Sequence, residues 1–133
     1  MTTIHSSPLL RQALVADAST TAAFGLLMLI GAGPVGNALG LPETLLRTLG
    51  VLLLPFAIFM GWLGVRETIQ KPIAWLVIVV NAIWIIDSFL LLVSGWISPT
   101  RAGYAFVIAQ ALAVLMYAEF KYVGLRRSVP AAA

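Results

Sequence analysis

Four stretches of this chain, at residues 13–33, 47–66, 73–95 and 102–123, each run for about twenty residues with scarcely a charge. That length matches a helix crossing ~30 Å of hydrocarbon. Inside lipid every backbone amide needs an internal partner, so only helices and closed barrels cross, and barrel strands are about half as long. The chain has 133 residues, 61% hydrophobic and 10% charged, against about 45–50% and about 25% in soluble domains. A soluble domain this short leaves too much of its surface wet to hide so much apolar area. The expected fold is therefore all-α, an integral membrane four-helix bundle in one domain. Residues 1–7 and 128–133 are expected to be flexible tails. Cysteine is absent, which excludes disulfides and thiol chemistry. The net charge of +3 includes no basic block, so the expected partner is the lipid bilayer and not nucleic acid.

Lys and Arg concentrate on the cytoplasmic side of membrane proteins. With the N-terminus inside, that side holds Arg11, Arg66, Lys71, Lys121, Arg126 and Arg127, and the opposite side only Arg47 and Arg101. The bias predicts both termini in the cytoplasm of a multi-pass inner-membrane protein. Trp62, Trp75 and Trp96 fall near span ends, where indoles favour the interface. Ser7-Pro8 reads as an N-cap and first helical proline. "GAGPVGNALGLPE" (residues 31–43) reads as the one long connector, with the second helix starting at Pro42, ahead of its span. Pro55, inside that span, frees a carbonyl and is expected to kink the helix without acting as a hinge. A cleaved leader is disfavoured for the first span, because Asp17 and about twenty residues of apolar length do not suit one. A faint echo links Asp17, Gly31 and Arg47 to Asn81, Gly95 and Arg101, as if two hairpins ran in parallel.

Polar residues inside the spans are the candidate site. At 100° per residue, Asn81, Trp84, Asp87, Ser88, Leu91 and Ser94 share one stripe of the third span. On the fourth, Gln110, Tyr117 and Lys121 align beside the small-residue ladder Ala105, Ala109, Ala113. On the first, Asp17, Thr20, Thr21, Phe24 and Gly25 align. Stripes of small and polar residues pack against one another in lipid. Depth along the spans then pairs Asp87 with Gln110 near the midplane and Asp17 with Lys121 at the cytoplasmic side. The candidate intramembrane polar cluster is Asp87, Asn81, Trp84, Gln110 and Tyr117.

An acid exposed to lipid costs about 2.5–3.5 kcal/mol or more, so such a residue marks either a site or an interhelical hydrogen bond. For Asp87 the packing role is preferred over a proton or ligand site. Glu119 reads as a boundary residue, Met28, Met60 and Met116 as packing residues, and His5 as too isolated to ligate metal or haem. The chain has no phosphate loop and no serine with a nearby base, and neither catalytic residues nor a cofactor are expected.

Four spans in so short a chain, with "LGLPETLLRTLGVLLLP" leading into the second, resemble the small four-helix membrane proteins of bacteria and, loosely, the DoxX-like group. That resemblance implies a link to redox enzymes or membrane stress. "NAIWIIDSFLLLVSGWISP" is similar to the SPW repeat of small bacterial membrane proteins, without its Ser-Pro-Trp triplet. In size, and in having an acid in the first helix, the chain also resembles small multidrug transporters, although Asp17 is shallower. The leading expectation is a non-catalytic accessory subunit that self-associates or joins a larger membrane complex. A small transporter or lipophilic-ligand binder built on the Asp87 cluster comes second, and a membrane redox or enzyme subunit third.

Overall fold

The computed structural model describes residues 3–131; Met1, Thr2, Ala132 and Ala133, at the ends of the expected tails, lie outside the described residues. Five helices form: α1 (Pro8–Ile30), α2 (Ala32–Leu39), α3 (Glu43–Val65), α4 (Lys71–Val93) and α5 (Arg101–Arg127). Three short strands accompany them, β1 (Thr3–His5), β2 (Thr68–Gln70) and β3 (Val129–Pro130). All but α2 are long and apolar enough to cross a membrane.

The long helices start before the apolar windows, and at α1 and α5 a side-chain cap sets the start. The Ser7 side chain accepts from the Leu10 amide at 3.2 Å, with Pro8 in the first turn. Thr100 does the same for Gly103 at 3.1 Å. Pro55 sits within α3, which continues through it. The long connector is not a loop: most of it is α2, where Pro34 occupies the first turn and needs no amide partner. Gly40, at φ 68°, ends that helix in the left-handed conformation that glycine adopts freely.

α1 packs along α3 on one side and α5 on the other, and α4 packs on α5. The order α3–α1–α5–α4 leaves α3 and α4 flanking a gap without packing along each other. Parallel duplicated hairpins would make the α1–α5 and α3–α4 contacts equivalent, so this packing does not follow the echo in the sequence. Close approach depends on glycine. A Cβ on Gly50 would lie 2.7 Å from the Gly25 carbonyl oxygen, and one on Gly124 would lie 2.5 Å from the Leu10 amide nitrogen. The Ala105–Ala109–Ala113 ladder makes no such contact: Ala105 and Ala109 are exposed, and Gly103, Val107, Ala111 and Gly124 form the buried seam of α5.

The terminal segments differ most from expectation. β1 pairs antiparallel with β2 and β3, with Ile4 opposite Ile69 and Pro130. The sheet ties the N-terminus, the α3–α4 loop and the C-terminus together at one end. Two forces order these segments: strand pairing satisfies backbone groups, and Ile4 and Ile69 bury against Leu10, Leu14, Met60, Leu63 and Leu125. Arg11 adds bonds of 3.2 Å to the Gly64 and Val65 carbonyls, capping the end of α3. At the opposite end Met28, Ala32, Leu41, Leu46, Ile97 and Val107 form a second core. Thr100 closes it, donating to the Leu39 and Ala38 carbonyls at 3.0 and 2.9 Å.

Candidate functional site: a cavity between the long helices

Between the two cores lies a cavity of about 570 Å³, within the range of pockets for small ligands. α1 lines it with Asp17, Thr20, Thr21 and Phe24, and α3 with Leu52, Leu53 and Phe56. α4 contributes Val80, Asn81 and Trp84, and α5 contributes Phe106, Gln110, Ala113 and Tyr117. Phe24 and Phe106 stack at 5.1 Å between ring centroids. α3 and α4, which do not pack along each other, bound the cavity on opposite sides of its remaining wall. A smaller cavity of about 220 Å³ continues it towards α2, sharing Trp84, Phe106 and Gln110 and adding Asp87 and Ser88.

At the sheet end of the cavity, Asp17 and Lys121 form an ion pair with side-chain exposures of 5% and 1%. Thr21 donates to the other Asp17 oxygen at 2.9 Å, and the ammonium also donates to Met60 Sδ at 3.3 Å. A buried charge needs such a partner, since its desolvation costs several kcal/mol. One turn further along, the Tyr117 and Thr20 hydroxyls bond at 2.7 Å, linking α5 to α1. The pair is buried more deeply than its expected place at the span boundary.

In the middle, Trp84 Nε1 donates to Gln110 Oε1 at 2.6 Å. Gln110 Nε2 donates to Ser88 Oγ at 2.9 Å and to the Val107 carbonyl at 2.8 Å. Ser88 in turn donates to the Trp84 carbonyl at 2.7 Å. Gln110 is thereby satisfied without Asp87, which is exposed at the rim of the smaller cavity. The expected Asp87–Gln110 pairing is replaced for a geometric reason. The buried face of α4 is Ala74, Val77, Asn81 and Ser88, and Asp87 stands about 100° round the helix from Ser88. Both residues fall on the expected stripe, but only its Ser88 side is buried. Trp84, a member of the expected polar cluster, supplies the donor that Gln110 uses.

Asn81 is the unusual member. It is 4% exposed, it lines the cavity, and its Nδ2 has no hydrogen-bond partner among the described residues. A buried amide without a partner costs about 1–3 kcal/mol. Among the described residues no group of three or more His, Cys, Asp or Glu side chains is arranged to hold a metal ion. The arrangement suits binding: an apolar, aromatic chamber with compensated charge, ordered hydrogen bonds and one free amide. Comparisons with protein families, with curated proteins and with solved structures find no match.

Proposed function

We propose that this chain is a multi-pass inner-membrane protein, N-in and C-in, that takes a small lipophilic molecule from the bilayer into the cavity between its long helices. The apolar, aromatic lining carries this reading, with the mouth taken to lie between α3 and α4, the two lining helices that do not pack along each other. A cavity of about 570 Å³ with such a mouth, between two helices with outward-facing apolar side chains, admits solutes from lipid more readily than from water. Insertion is supported by burial: only 17–33% of each apolar window is buried within the fold, so most of that surface faces outward. Orientation is supported by charge. The end carrying the small sheet also carries Arg11, Arg66, Lys71, Arg126 and Arg127, and the other end Arg47 and Arg101.

Gentle purification from native membrane, followed by mass spectrometry of bound small molecules, tests the reading. A lipophilic compound retained by wild type is expected to fall about tenfold or more in Ala113→Phe, which fills the chamber. Equal retention by both proteins, or retention by neither, overturns it. A second reading, an accessory subunit that self-associates or joins a larger complex, is favoured by the exposed small residues Ala105 and Ala109 on α5. In that case the same preparation retains a protein partner, or runs as an oligomer that Ala105→Leu disperses.

A further inference from the structure

We infer that the cavity selects an uncharged lipophilic molecule bearing a single hydrogen-bond-accepting head group, a carbonyl above all, and that Asn81 is the residue that receives this head. The inference rests on the ligand-binding reading above and adds the chemistry of the ligand. It follows from a count of what the lining has left to offer. Asp17 is taken by Lys121 and Thr21, Thr20 and Tyr117 hold each other, and Trp84 is taken by Gln110. What remains is the buried Asn81 amide, whose Nδ2 has no partner among the described residues. Asn81 lines the chamber, and its two unpaired N–H donors are complementary to an acceptor oxygen brought beside it.

Charge restricts the head further. The one acid in the lining is neutralised by a buried ammonium held by the neighbouring turn of α5, so the chamber offers no net charge to an ion. A charged head would be desolvated there without a counter-ion, which is strongly unfavourable. The body of the ligand lies against Phe24, Phe56 and Phe106, where aromatic faces accept flat or chain-like apolar groups. A mouth between α3 and α4 lets a long tail remain in the bilayer.

4-Decylbenzophenone is a direct probe, because its neutral carbonyl is both the acceptor and the photoreactive group. The matched competitor is 4-decyldiphenylmethane, in which a methylene replaces the carbonyl. Wild type and Asn81→Leu are placed in phosphatidylcholine nanodiscs, irradiated with the probe, and mapped by peptide mass spectrometry. The expected result is saturable labelling of wild type around Asn81 and Gln110. The hydrocarbon is expected to compete about three- to tenfold more weakly than unlabelled ketone, the factor for one neutral hydrogen bond. In Asn81→Leu that gap closes, while the hydrocarbon binds as before.

Saturable labelling with no gap in wild type, or a gap that survives in Asn81→Leu, overturns the head-group assignment and leaves the cavity as a ligand site. Absence of saturable labelling in wild type overturns both. If Asn81→Leu does not fold, the wild-type competition still overturns the head-group preference when it shows no gap, and labelling that maps away from Asn81 overturns the residue assignment. Melting of that variant at or above the wild-type temperature verifies that the amide has no structural partner.

Discussion

The Asp17–Lys121 pair shows how burial changes the worth of a single residue. With side-chain exposures of 5% and 1%, each charge depends on the other. Asp17→Asn or Lys121→Met alone is expected to destabilise by about 3–5 kcal/mol, because each leaves an uncompensated buried charge. The double variant Asp17→Leu with Lys121→Met restores an apolar contact and is expected to recover most of that loss. Unfolding of all three proteins in mixed detergent measures this; additive losses in the double variant would contradict the pairing. Gln110 and Asp87 make the opposite contrast. Gln110→Leu removes the acceptor of Trp84 and the donor to Ser88, a loss of about 1–3 kcal/mol. Asp87→Leu, at an exposed position, is expected to stay within about 0.5 kcal/mol of wild type or to gain stability. Equal losses in the two would restore Asp87 as the partner of Gln110.

Helix pairs here are spaced by the side chains they lack. α1 and α5 approach where Gly124 meets the backbone of Leu10, with 2.5 Å available to a Cβ. Gly124→Ala therefore has to push the helices apart, at about 1–3 kcal/mol. The expected outcome is a lower melting temperature together with loosened strand pairing between β1 and β3, read as faster amide exchange at Ala131, whose N–H bonds the Thr3 carbonyl. Ala109 is the control. It lines the cavity and is exposed, so Ala109→Leu is expected to narrow the chamber while leaving the melting temperature within a degree or two. Destabilisation by Ala109→Leu comparable to that of Gly124→Ala would place a tight helix contact at the alanine ladder after all.

For the whole molecule, the small sheet and the Thr100 closure give the bundle two distinct ends. Asn37 is exposed at one and Glu67 at the other, and the chain has no native cysteine. In intact cells, a membrane-impermeant maleimide is expected to label Asn37→Cys at once and Glu67→Cys only after permeabilisation. The reverse order inverts the orientation. It leaves the cavity unchanged, because the cavity depends on how the helices pack and not on which end faces the cytoplasm.

Helix number and type were legible in the residues, since four long apolar windows admit few other solutions in a chain of this length. The Ser7 cap was legible because capping chemistry is local and Pro8 marks it, whereas Thr100 caps α5 without such a proline after it. The polar residues that line the cavity were also within reach of helical angle and depth. Their partners were not. Whether Gln110 turns to Asp87 or to Trp84 depends on about 60° of rotation of α4, which long-range packing sets and local pattern does not. The ordered termini escaped notice because each strand has only two or three residues and gains its stability from segments distant in sequence. The cavity itself is a property of packing order. Sequence period shows which face of a helix is polar, but only the arrangement α3–α1–α5–α4 decides that two of those faces stand apart and enclose space.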